Sequence, residues 1–141
     1  MIKKFNTLTM NYGTHNNVSF EIKQPHDYYG WTWYLYIALD NLKDAKLAES
    51  LWIPATLKQF GSSEYESPDY YKSEFLNEIP FHCGITYYSK QLLDSDGRII
   101  KVGCDYRHCW DEGKTFSLTQ ILEDVENACE FVSRYLKPKE E

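Results

Sequence analysis

The chain has 141 residues, 43% hydrophobic and 26% charged, with no low-complexity stretch. This excludes an intrinsically disordered protein and predicts a single α+β domain over 1–141, long enough to bury about 70% of the surface its unfolded form exposes. Lys and Arg number 15 against 21 Asp and Glu, a net charge of −6 that argues against direct nucleic-acid binding and is read as serving solubility alone, a basic partner, or mimicry of nucleic-acid charge.

No apolar run reaches the roughly 18 residues of a membrane span, and Met1–Asn6 lacks the apolar stretch of a secretion signal, so the expected location is the cytoplasm. Cys83, Cys104, Cys109 and Cys129 are too irregularly spaced for a secreted disulfide framework and are expected as free thiols. Aromatic residues make up 16%, with 12 Tyr and 4 Trp, more than one small core hides, so some are expected at the surface as anchors for a partner.

Val18 to Lys23 alternates apolar and polar residues and predicts a first strand, broken at Gln24-Pro25-His26-Asp27. Trp31 to Leu39 predicts a central strand with Trp31, Trp33, Leu35, Ile37 and Leu39 on one face and Thr32, Tyr34 and Tyr36 on the other. Asp40 or Asn41 then caps a short helix through Leu42, Leu47 and Leu51, stopped near Pro54.

From Phe60 to Pro80 no clean periodicity survives, and the stretch reads as a long loop of the kind that carries function. Between Glu64 and Glu78 five acids stand against Lys72, with tyrosines interleaved, so Glu64, Tyr65, Glu66, Asp69, Tyr70 and Tyr71 are the candidate partner-binding residues. A plain solvated loop is the competing reading.

The run Ile85–Tyr88 and the run Arg98–Val102 flank Asp94-Ser95-Asp96-Gly97, a strong hairpin signal. Ser117 and Gln120 have the form of a capping box, and Leu118, Ile121, Leu122, Val125, Cys129, Val132 and Leu136 repeat at helical spacing up to Pro138. The expected architecture is an antiparallel sheet with this long C-terminal helix packed on one face and a second, shorter helix.

With a two-residue hairpin loop, whether Ser95-Asp96 or Asp96-Gly97, His82, Gly84, Thr86 and Tyr88 share a face with Lys101, Gly103, Asp105, Arg107 and Asp111. Cys83, Ile85 and Tyr87 then fall on an apolar face with Ile100, Val102, Cys104 and Tyr106, which makes Cys83 and Cys104 packing residues. A thiol metal site is not expected, because no paired Cys-x-x-Cys spacing is present, and no cofactor is implied.

The candidate ligand-binding residues are His82, Thr86, Asp105, Arg107, His108 and Asp111: a titratable imidazole, a hydroxyl, and an Asp-x-x-His-x-x-Asp array, with Gly84 and Gly103 leaving room above the sheet. An internal polar network that fixes the long loop over the sheet explains the same residues. No nucleophile elbow, phosphate-cradling glycine loop or His-Glu-x-x-His helix accompanies them.

At His82, Gly84, Thr86, Tyr87, Gly103, Asp105, His108 and Asp111 the chain resembles a family of small bacteriophage and prophage proteins. Their signature is His-Gly-Gly-Leu-Thr-Tyr followed by Gly-Phe-Asp-Cys-Ala-His-x-Gly-Asp and a C-terminal helix. The likeness covers roughly the C-terminal half, and His26-Asp27-Tyr28-Tyr29-Gly30 faintly echoes an upstream His-Pro-x-Tyr-Gly. The chain departs from it at Cys83, Cys104, Tyr106 and Cys109-Trp110, so the cysteines are not the working parts.

The resemblance implies a phage origin and work in the host cytoplasm. By analogy with small acidic phage proteins, the expected function is inhibition of a host defence protein, for example a CRISPR effector, by protein–protein binding. The alternative is a ligand site on the polar hairpin face, serving a small-ligand or nucleotide-signal binder or a phosphoester hydrolase.

Overall fold

The computed structural model describes residues 3–5, 9–24, 30–53, 55–60, 63–93, 97–106 and 116–138. Strands β1 (Lys3–Phe5), β2 (Thr9–His15), β3 (Val18–Gln24), β4 (Thr32–Ala38), β7 (Tyr87–Leu93) and β8 (Gly97–Asp105) form one antiparallel sheet in the order β1-β2-β3-β4-β8-β7. Strands β5 (Ala55–Phe60) and β6 (Ser63–Pro68) pair separately. Helices α1 (Ala45–Leu51), α2 (Glu74–Glu78) and α3 (Leu118–Ser133) complete an α+β fold, with 3-10 turns at Leu39–Asn41 and Tyr70–Lys72. Among the described residues no helix is long and apolar enough to cross a membrane.

The pleat sorts β4 as its pattern predicts. Trp33, Leu35 and Ile37 are buried, while Thr32, Tyr34 and Tyr36 are half-buried on the outer face. Their neighbours on the inner face are Phe20 and Ile22 of β3 and Ile100, Val102 and Cys104 of β8. Helix α3 covers this side with Ile121, Val125, Ala128, Cys129 and Val132, and Ala48 and Leu51 of α1 and Phe75 and Leu76 of α2 join the same core.

Several elements differ from the sequence expectation. The strand from Val18 is not the first, because a tight turn at Asn16 (φ 51°) and Asn17 (φ 68°) returns it to β2. Asn enters the left-handed region more readily than most residues, so two in succession form a two-residue hairpin turn whose twist suits the strands.

The cap of α1 is Asp44, whose Oδ1 accepts from the Lys46 and Leu47 amides at 2.9 and 3.2 Å. Asp40 is engaged instead with Arg98, at 3.1 Å, and Asn41 lies in the 3-10 turn. The stretch predicted as a loop from Phe60 to Pro80 holds β6, a 3-10 turn and α2. Ser63–Pro68 carries no strand period in its sequence, because it alternates acids with tyrosine rather than apolar with polar residues. The capping box of Ser117 and Gln120 forms as expected, but α3 ends at Ser133, and Leu136 leaves the helix to bridge Leu42.

Burial also sets a pH dependence. It pushes the Cys129 thiol up to about 12, with Glu126 and Glu130 adding to the shift, and raises Cys104 and Tyr106 beyond their ordinary ranges. These groups stay protonated in the folded chain while the unfolded chain releases the proton, so stability is full below the unfolded values and falls as pH rises from there. For Cys129 the window runs from about pH 9 to about 12. Urea melts across it should lose stability less steeply for Cys129→Ala than for the parent, by up to about 1.4 kcal/mol per pH unit.

Candidate functional site

The hairpin closes in neither of the two-residue registers. Leu93 pairs with Gly97, Tyr88 with Val102 and Tyr87 with Gly103, leaving 94–96 as a three-residue connection outside the described residues. Gly97 at φ 73° takes the left-handed position that such a connection requires. One residue of slip exchanges the faces of β7: Tyr88 turns into the core beside Val102, and Tyr87 lies outside beside Gly103 and Lys101.

The predicted ligand set is therefore divided. Asp105 pairs with Thr32 on the outer face, and its Oδ2 accepts the Thr86 hydroxyl at 3.3 Å. That contact forms because Thr86 precedes the strand, with its amide donating to the Gly103 carbonyl at 2.9 Å. His82 belongs to the other side: its ring stacks on Tyr106 at 4.0 Å and 13° and meets Phe116 edge-on at 5.7 Å. Tyr106 is a core-facing residue, so the shared polar face expected for His82 and Asp105 is not formed. Arg107, His108 and Asp111 lie outside the described residues.

Two smaller expectations are corrected with this one. Cys83 is exposed, at φ 58° in the turn Phe81–Gly84, whereas Cys104 is buried as predicted; Cys83, Cys104 and Cys129 are free thiols. The room expected above Gly103 is taken by the Tyr34 ring, which also meets Tyr87 edge-on at 5.0 Å. A Cβ at Gly103 would run into the Trp33 carbonyl oxygen and that ring. Gly103→Ala should therefore cost about 1–3 kcal/mol in a thermal or urea melt, because backbone cannot yield as a flexible side chain does.

The outer face around Gly103 is an ion-pair network under aromatic cover. Glu21, 5% exposed, faces Lys101 at 3.4 Å and Lys23 at 3.7 Å, and accepts the Tyr36 hydroxyl at 3.4 Å. The Lys101 ammonium lies over the rings of Tyr34 at 4.4 Å, Tyr36 at 5.6 Å and Tyr87 at 5.7 Å. Burial pulls its pKa down, but the Glu21 carboxylate and Tyr36 more than reverse this and hold it above the ordinary lysine value. Among the described residues no group of His, Cys, Asp and Glu is placed to hold a metal ion.

The acidic segment has more surface character. Tyr71 is 52% exposed, its hydroxyl donating to Asp69 Oδ1 at 3.4 Å, while Asp69 Oδ2 lies 3.4 Å from Lys72. Tyr70 is not a free anchor: it stacks on Tyr88 with centroids 6.1 Å apart and donates to the Thr86 carbonyl at 3.2 Å, tying this turn to the sheet edge. Glu64, Tyr65 and Glu66 lie in β6, and their side chains are outside the described residues.

Beside this turn opens a groove of about 630 Å³ that no sequence motif announces. Leu47 of α1, Ile53, Phe75 of α2 and Tyr135 after α3 form its floor, and Asp44, Asp69, Glu74 and Glu78 its rim, with Lys72 the one cation among the lining residues. The sequence signal was there in part: Ser73 before Glu74, Phe75 and Leu76 is an N-cap, and its Oγ accepts from the Leu76 amide at 3.2 Å.

Comparison with protein-family models, curated proteins and solved structures finds no match for the chain.

Proposed function

We propose that this chain is a non-enzymatic binding protein that inhibits a host defence protein, for example a nucleic-acid-binding CRISPR effector, in the cytoplasm of the host cell. The observation that carries this reading is the exposed Tyr71 beside Asp69 and the acid-rimmed groove: an aromatic anchor within a negative surface, on a chain of net charge −6. Such a surface steers toward basic grooves, which is where nucleic-acid-binding proteins carry their positive charge. The division of His82 from Asp105 weighs against an enzyme built on the hairpin face.

The test is co-purification with host proteins, together with a plaque or target-cleavage assay. The parent chain is expected to capture an effector and protect its target, and Asp69→Lys with Tyr71→Ala should weaken both at least about tenfold while leaving the melting temperature nearly unchanged. Protection that persists unaltered in that variant counts against this surface. A second reading, a small-ligand or nucleotide-signal binder or a phosphoester hydrolase, has the Thr86–Asp105 hydrogen bond in its favour. It predicts protection without a captured effector, lost in Asp105→Ala.

A further inference from the structure

We infer that the groove between α1, α2 and Tyr135 receives a basic segment of the partner protein that places one apolar side chain on its floor and Lys or Arg side chains on its rim. This deepens the binding reading above and rests on it. With a volume of about 630 Å³ the groove is open to solvent and has room for a short stretch of peptide laid along it. Its floor is suited to an apolar anchor, because Phe75 is met edge-on by Tyr135 at 4.9 Å and packed on Phe131 at 5.9 Å, so the aromatic surface is already assembled before anything docks.

The charge of the rim identifies the occupant. Glu74 and Glu78 are one helical turn apart on α2, where like charges repel. Glu78 also stands at the C-terminal end of α2, the end at which the helix disfavours a carboxylate. Neither carboxylate makes an ion pair among the described residues, whereas Asp44 is occupied as a helix cap and Asp69 is paired with Lys72. Two acids that repel one another, one of them at the unfavourable end of the helix, and that make no ion pair among the described residues are complementary to positive charge brought by a partner. The apolar floor between them excludes a purely ionic contact.

The test uses the intact chain and a short fluorescein-labelled peptide repeating Lys-Arg-Leu, read by fluorescence anisotropy. Two counterparts accompany it, one with every Leu replaced by Ser and one with every Lys and Arg replaced by Glu. The first peptide is expected to bind, with affinity falling as salt rises, the Ser counterpart to bind at least about tenfold more weakly, and the Glu counterpart not to bind. Glu74→Gln with Glu78→Gln should weaken binding about tenfold, and Ser50→Trp, which fills the groove from the exposed side of α1, should abolish it with the melting temperature preserved.

Equal binding of the Leu and Ser peptides, or full binding by Ser50→Trp, overturns the inference. A dimer of the chain in sedimentation that dissociates in Ser50→Trp also overturns it, since the occupant is then a second copy. Failure of the inhibitor reading is a separate result: the parent chain then fails to protect in the cleavage assay whatever the peptide does. Protection retained by Ser50→Trp removes the groove from that reading while leaving the reading itself intact.

Discussion

Lys101→Met should destabilise the fold by about 3 kcal/mol, because it leaves the Glu21 carboxylate in a covered site with tyrosine hydroxyls beside it and Lys23 as its remaining cation. Lys23 stands farther off, at 3.7 Å, and its side chain is 43% exposed, so it replaces the lost ammonium only in part. Met keeps the length and apolar stem of Lys, and the rings of Tyr34, Tyr36 and Tyr87 retain a packing partner while losing the cation over their faces. The double variant Glu21→Gln with Lys101→Met should recover most of the loss, since it removes the stranded charge along with its partner. Urea melts of the parent, both single variants and the double variant give the coupling directly. A loss under about 1 kcal/mol for Lys101→Met would mean that water reaches Glu21 and that the tyrosines do not seal the face.

This network and the groove were the parts hidden in the sequence, for different reasons. In β4 each position answers to one face, so alternation of Trp33, Leu35 and Ile37 with Tyr34 and Tyr36 was enough to read the strand and its buried side. In α3 the cap and the apolar stripe are local as well, and the α+β class follows from those two elements. The hairpin register is not local: Gly97 marks the turn, but whether the loop has two or three residues decides which face every β7 side chain takes. The groove gathers residues from α1, the chain before β5, α2 and the end of α3, and no spacing rule connects Leu47 with Tyr135. Its acids were visible as an excess of charge between Glu64 and Glu78. Their effect depends on α2, a helix too short to leave a clear period.

Tyr106→Phe is the second large effect, expected at about 2–4 kcal/mol although it removes a single oxygen. The Tyr106 hydroxyl donates to Asp124 Oδ2 at 2.5 Å and accepts from Trp33 Nε1 at 3.0 Å, and both Trp33 and Tyr106 are fully buried. Phe leaves the fully buried indole N–H without that acceptor and the half-buried carboxylate without that donor, so the larger share of the loss comes from the stranded indole. Asp124→Asn keeps an acceptor for the tyrosine and should cost less, about 1 kcal/mol. His82→Phe keeps an aromatic ring against Tyr106, and if the imidazole serves only to pack there it should leave both the melting temperature and the protection assay unchanged. A loss of protection in His82→Phe with the fold intact would return His82 to the functional surface and favour a ligand on the hairpin side over the acid-rimmed groove.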